Sequence, residues 1–150
     1  MNFLPVGINI SGKRILIIGG GSVAFQKAKI LSQYTKDIDF LAKEFKEELV
    51  REFGEHKFIK KSYKKKYLKG YFLVYACSND ENLNRKISED ANSLKILVNV
   101  CDKPALSDFI SPAIYKKDHF SIAVTSNAKD VRKSIDLRNK IKEFLEDAGL

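Results

Sequence analysis

An apolar run that stops in three consecutive glycines and then passes into an amphipathic stretch constrains this chain more than any other feature. Arg14–Ala24 reads R-I-L-I-I-G-G-G-S-V-A. Ile15–Ile18 has the length and branching of a buried parallel strand, and the glycines that follow permit a turn too tight for side chains. Gly19 and Gly20 are expected to make that turn, Gly21 to admit a phosphate to the main chain, and Ala24 to let the next helix pack close to the strand. The spacing Gly19-x-Gly21-x-x-Ala24 is the alanine-ended form of the dinucleotide fingerprint, with the pyrophosphate at the helix N-terminus around Ser22 and Val23. A glycine-rich strand-to-helix turn with no ligand is the competing interpretation.

Around this unit the apolar pattern alternates between short runs and longer periodic stretches. Strands are expected at Gly7–Ile10, after which Ser11-Gly12 turns the chain, and at Arg14–Ile18, Ile38–Ala42, Lys57–Lys60, Tyr71–Ala76 and Lys95–Val98. Helices are expected at Ser22–Tyr34, with Val23, the Lys27 stem, Ile30, Leu31 and Tyr34 on one face, around Phe45, Leu49 and Phe53 up to Gly54, and from an Asn79 or Asp80 cap through Ala91. Strand alternating with helix implies an α/β, Rossmann-like parallel sheet with helices on both faces. Its ligand belongs beyond the C-terminal strand ends, which gathers Gly19–Ser22, Leu41–Glu44, Cys77–Asp80 and Asn99–Lys103 around one crevice. After Pro104 the rhythm changes. Asp108–Tyr115 and His119–Thr125 are joined by a link too short for a parallel crossover, so an antiparallel β-hairpin is expected, then a C-terminal helix at Val131–Leu145. The apolar face of that helix is Val131, Ile135, Ile141, Phe144 and Leu145. The expected division is a nucleotide-binding domain at 1–106 and a short extension at 107–150.

Composition narrows the classes. No apolar stretch approaches the roughly 20 residues of a membrane span, and Met1–Val6 lacks the pattern of a signal peptide, so a cytoplasmic location is expected. Cys77 and Cys101 stand apart with no Cys/His cluster near them, which implies neither a zinc site nor a disulfide framework; each reads as a small apolar residue after a strand. The formal net charge is +8, much of it within Lys57–Lys69, and suits an anionic partner or simply a solvated face. Phe58, Tyr63 and Tyr67 interleave with those lysines, so base stacking by a nucleic acid is one alternative. Anchoring of a strand and turn to the core is the other.

Several motifs recur together. Leu4-Pro5-Val6, Ile17–Ala24 with Lys27-Ala28, Ala76–Asp80 with Asn84, Asn99–Asp102 and Phe109–Ala113 appear in an order that resembles the precorrin-2 dehydrogenase family of siroheme synthesis, some of whose members are also sirohydrochlorin ferrochelatases. The resemblance spans Phe3 to about Arg138. It implies NAD-dependent oxidation of precorrin-2 to sirohydrochlorin, with Asp102 as the key acidic residue; an aspartate past a strand end is otherwise often a turn residue. A carboxylate at the cofactor's edge suits the task, because a carbon that loses hydride must then shed a proton. If Fe²⁺ or Co²⁺ is a further substrate, the same carboxylate takes pyrrole protons and no metal cage is needed.

Under this resemblance the cofactor contacts fall to Gly19, Gly20, Gly21, Ser22, Val23, Ala24, Lys43, Glu44, Cys77, Ser78, Asn79, Asn99 and Val100. Substrate contacts fall to Lys103, Ser111, Ser126, Lys129 and Arg132, with Lys116 and Lys117 as further cations for a polycarboxylate tetrapyrrole. The adenosine ribose partner is open: Asp37 and Asp39 precede the strand end, Glu44 lies nearer it, and Lys43 tolerates a phosphate. NAD is favoured over NADP. Where similar proteins have glycines and a Ser-Pro pair, this chain has Asn127-Ala128-Lys129-Asp130-Val131, and Ser126 there reads equally as a helix cap. Many similar proteins also carry a further helical region for dimerisation; either the hairpin and last helix suffice for a homodimer, or that element lies outside this sequence. An NAD(H)-sensing regulatory module is the non-catalytic alternative.

Overall fold

The computed structural model describes residues 1–149, which cluster into two compact units, 8–109 and 1–7 together with 110–149. In the first, β1 (Ile15–Ile18), β2 (Ile38–Ala42), β3 (Lys57–Lys60), β4 (Leu73–Ala76) and β5 (Leu97–Val100) form one parallel sheet in the order β3-β2-β1-β4-β5. The chain runs outward from β1 to β3 and then crosses back to β4, so the topological switch point lies between β1 and β4. The expected fold class is borne out.

All four side chains of β1 are buried, and their alternation builds a core on each face of the sheet. Ile15 and Ile17 join Phe40, Leu73 and Tyr75 beneath α1 (Ser22–Leu31) and α2 (Glu47–Phe53), which contribute Ala24, Ala28, Leu31, Leu49 and Phe53. Leu16 and Ile18 join Leu41, Val74 and Val98 beneath α3 (Glu81–Ser93), which contributes Ile87 and Ala91. Each fully buried aliphatic side chain stabilises the fold by about 1.5–3 kcal/mol. The buried face of α1 therefore runs through Ala24, Ala28 and Leu31, whereas Val23 is 46% exposed, contrary to the face expected from its apolar residues. Small residues win there because the helix lies close against the strands.

Gly7–Ile10 forms no strand. β1 already has β2 on one side and β4 on the other, so a preceding segment finds no free edge beside it. β5 begins later than expected because α3 ends in a left-handed turn at Lys95 (φ 57), where the Ile96 N–H returns to the Ala91 carbonyl. Asp80 caps α3 as expected; its carboxylate accepts from the N–H groups of Asn82 and Leu83.

The aromatic residues among the lysines of residues 57–69 are half-buried and pack against the core. Phe58 stacks on Phe40 at 4.8 Å between ring centroids, Tyr63 donates to Asp90 at 2.9 Å, and Tyr67 packs against the α3-side cluster. Burial and the Asp90 carboxylate both push the Tyr63 phenol upward from its usual range.

In the second unit, β6 (Ala113–Lys117) and β7 (Phe120–Val124) pair antiparallel through a turn in which Asp118 has φ 51, and α4 (Val131–Asp147) packs across both. Arg138 Nη1 donates to the Ile114 carbonyl at 2.6 Å. Met1–Gly7 sits in this unit, where the Phe3 N–H donates to Asn127 Oδ1 at 2.6 Å. Asn127 and Ala128 take φ 59 and φ 62, so the loop keeps a left-handed backbone without glycine. Asp130, not Ser126, caps α4 through the Lys133 N–H at 2.8 Å. No helix among the described residues is long and apolar enough to cross a membrane.

Candidate active site

The three glycines have three different jobs. Gly19 has φ 141, and a Cβ built on it comes 2.5 Å from the Cys77 carbonyl oxygen, so neither the backbone conformation nor the space admits a side chain. At Gly20 the obstacle is the segment after β2: a Cβ lies 2.0 Å from the Glu44 carbonyl oxygen, and the Lys46 N–H donates to the Gly20 carbonyl at 2.8 Å. Gly21 is the N-cap of α1, and a Cβ there meets nothing within 4 Å. The turn is thus packed on two sides and open at the helix end.

That opening faces a crevice of about 500 Å³ lined by Ile18–Gly21, Leu41–Lys46, Lys61–Tyr63, Cys77–Asp80 and Leu83. All of these segments follow C-terminal strand ends or begin helices, which is where an open parallel sheet holds its ligand. The first N–H groups of α1 have no intrahelical partner, since the ladder starts with the Phe25 N–H on the Gly21 carbonyl, and the first turn contains no acidic residue. Lys46 Nζ lies 2.7 Å from Ser22 Oγ, adding a cation at the same spot. Open space beside a glycine, free N–H groups and a cation suit a pyrophosphate, so a dinucleotide fits these residues.

The structure brings Gly19, Gly20, Gly21, Lys43, Glu44, Cys77, Ser78 and Asn79 into one lining. Ser22 and Val23 are exposed on the first turn, and Ala24 is fully buried against the sheet. Asn99 and Val100 lie outside the lining. Asn99 is buried, with Nδ2 donating to the Phe109 carbonyl at 2.9 Å, and Val100 is core. Asp39 is bound to Arg14 and Tyr71 at the start of β2, where it lines, with Asp37, a separate recess of about 250 Å³. Neither aspartate reaches the crevice, which leaves Glu44 as the carboxylate nearest the end of β2.

Asp102 is exposed on the turn after β5. Asn84, buried on α3, connects it to the crevice: Nδ2 donates to the Ser78 carbonyl at 2.8 Å and reaches Asp102 Oδ1 at 3.4 Å, while Oδ1 accepts from the Ser78 N–H at 3.2 Å. Lys103 pairs with Glu81 at 3.2 Å. The remaining predicted substrate residues stand in the second unit. Ser111 is half-buried there, Lys129 and Arg132 are exposed, and Ser126 Oγ accepts from the Asp130 N–H at 2.9 Å while donating to the Asp130 carbonyl at 2.8 Å.

Sequence reasoning missed Lys46, Lys61, Ser62 and Tyr63 as lining residues. The signal existed, because the segments after β2 and β3 emerge at the same sheet edge as the glycine turn. Lys57–Lys60 is expected as a strand, yet the segment just past its end reads first as part of the Lys57–Lys69 charge run and not as crevice lining.

Comparison with known proteins agrees with this geometry. Residues 6–113 match the family model described as "Putative NAD(P)-binding". The chain belongs to this NAD(P)-binding family. Among similar proteins, the siroheme synthase of Psychrobacter arcticus is 37% identical over 131 residues, covering 86% of this chain and 24% of the relative. The siroheme synthase of Ectopseudomonas mendocina is 36% identical over 145 residues, covering 97% of this chain and 31% of the relative. This NAD(P)-binding chain therefore spans about a quarter to a third of the length of the curated relatives it matches. Its fold resembles that of SirC, a precorrin-2 dehydrogenase, with a TM-score of 0.80 at 19% identity over 94% of this chain and 70% of the other. The family resemblance read from the sequence motifs is borne out by these relatives.

Proposed function

We propose that this chain oxidises precorrin-2 to sirohydrochlorin with NAD as hydride acceptor, within siroheme biosynthesis. The observation that carries the reading is its similarity to siroheme synthases over 84–99% of its length, in a chain whose glycine turn has a built opening for a pyrophosphate. An NAD(H)-sensing module accounts for the turn alone and gives no reason for that similarity. The bound nicotinamide supplies a hydride acceptor. The chain's own residues do the rest: α1 and Lys46 hold the phosphates, Glu44 favours ribose hydroxyls over a 2′-phosphate by charge repulsion, and Asp102 takes the proton released as hydride leaves the macrocycle.

Lys103, Lys116, Lys117, Lys129 and Arg132 are proposed as cations for the substrate's carboxylates. Ser111 offers a hydroxyl, whereas Ser126 shapes its loop. Asn99 and Val100 act on the cofactor only by fixing the strand end. Fe²⁺ or Co²⁺ is proposed as a further substrate, read as loss of the sirohydrochlorin spectrum on adding metal against a protein-free control. The reading is tested by supplying precorrin-2 with NAD or NADP. Sirohydrochlorin forms with NAD and markedly more slowly with NADP; failure to form with either overturns it.

A homodimer is the proposed assembly. Phe120, Val131, Ile135, Leu137 and Phe144 leave 69%, 63%, 40%, 49% and 68% of their surfaces exposed, more apolar surface than a small unit commonly leaves in water. Light scattering on the eluting protein is expected to give twice the 17.1 kDa chain mass, and a monomer at working concentrations contradicts it.

A further inference from the structure

Cys77 and Cys101, separated in sequence, meet at the ends of adjacent strands. The β4–β5 register pairs Ala76 with Val100, and the Cys101 N–H continues the ladder by donating to the Ala76 carbonyl at 3.0 Å. The next pair in register is Cys77 and Cys101. Neighbouring strands stand about 4.8 Å apart, within the roughly 4.4–6.8 Å that a disulfide spans between Cα atoms, so the backbone need not move to join them. Both are free thiols, with their Sγ atoms 2.6 Å apart.

We propose that Cys77 and Cys101 form a peroxide-responsive dithiol, a redox modification site whose disulfide stiffens the floor of the dinucleotide crevice and weakens dinucleotide binding. Their environments differ in the way such a pair requires. Cys101 is the more accessible, and in its contact with Cys77 Sγ either sulfur can donate; when Cys77 donates, that hydrogen bond favours the Cys101 thiolate against the cost of burial, and the Lys27 ammonium favours the same charge. Cys77 is 6% exposed and its thiol is held protonated by that hydrogen bond and by burial. The Cys101 thiolate attacks the terminal oxygen of a hydroperoxide, the O–O bond breaks, and an alcohol or water leaves with Cys101 as the sulfenic acid. Cys77 sulfur then attacks that sulfur, expelling the hydroxyl as water. Two thiols and one hydroperoxide thus give one disulfide, one alcohol or water, and one water. A dithiol reductant reverses the change by exchange.

Coupling to the crevice runs through backbone. The Cys77 N–H donates to the Ile18 carbonyl at 2.8 Å, and the Cys77 carbonyl is the atom against which Gly19 is packed. A cross-link at Cys77 is therefore felt at the first residue of the phosphate turn, and at Cys101 it is felt beside Asp102.

Treat the reduced full chain with stoichiometric hydrogen peroxide, then measure intact mass, the linked peptide and NADH affinity. The wild type is expected to lose two hydrogens, yield a Cys77–Cys101 linked peptide, and bind NADH about fivefold or more weakly, about 1 kcal/mol. Dithiothreitol restores all three. Cys101→Ser, checked for folding by circular dichroism, forms no intramolecular link and binds NADH equally before and after peroxide. No linked peptide in the wild type overturns the site, and a linked peptide with unchanged NADH affinity overturns its coupling to the crevice. The mass readout needs neither dinucleotide nor precorrin-2, so failure of the dehydrogenase reading is distinguishable from failure here.

Discussion

Gly21→Ala is expected to weaken NAD binding at least about tenfold while leaving the melting temperature of the protein unchanged. The two halves of that expectation have separate causes. The φ of −98° at Gly21 suits alanine, and the new methyl meets no protein atom within 4 Å, so the folded chain has nothing to repack. The methyl instead occupies the space through which a pyrophosphate reaches the first N–H groups of α1. Gly20→Ala makes the opposite case. Its Cβ runs into the Glu44 carbonyl at 2.0 Å, a backbone atom fixed by the Lys46 bond to Gly20, and relieving that overlap costs about 1–3 kcal/mol of stability in addition to affinity. Calorimetric NAD titrations and thermal melts on both variants check the pair. Wild-type affinity in a folded Gly21→Ala protein would mean that the phosphates do not approach there.

Asp102→Asn is expected to lower kcat by about 10²–10⁴ with little change in NAD affinity. The amide is nearly isosteric and still meets Asn84, but it carries no charge and takes no proton at neutral pH. Asp102 is exposed, so the substitution should change folding stability by no more than about 0.5 kcal/mol. A kcat within a few-fold of the wild type removes Asp102 from the proton transfer. An unchanged kcat with a raised KM would instead make it a substrate-binding group.

The sheet and its crevice were legible because their signals are local and periodic. Ile15–Ile18, the glycines behind it and the regular alternation afterwards fix a parallel sheet whose ligand edge follows from chain direction alone. Asp80 announced its helix by position and residue type. What stayed hidden depends on neighbours. Gly7–Ile10 has a strand-like pattern and no strand, because both edges of β1 are taken by segments far along the chain. Lys95 ends α3 in a left-handed turn that usually signals itself with glycine, which shifted the start of β5. Proximity to a strand end points Asn99 and Val100 toward the crevice, whereas burial turns their side chains to the core. Cys77 and Cys101 looked unrelated until the register of β4 against β5 set them side by side.

Anaerobic incubation of the wild-type chain with precorrin-2 and NAD tests hydride transfer itself, with NADH absorbance and the sirohydrochlorin spectrum followed together. Oxidation by hydride transfer predicts that the two products rise in equal amounts, above a protein-free control. A protein that binds NAD with normal affinity yet produces neither would contradict it and leave a nucleotide-binding module without this chemistry.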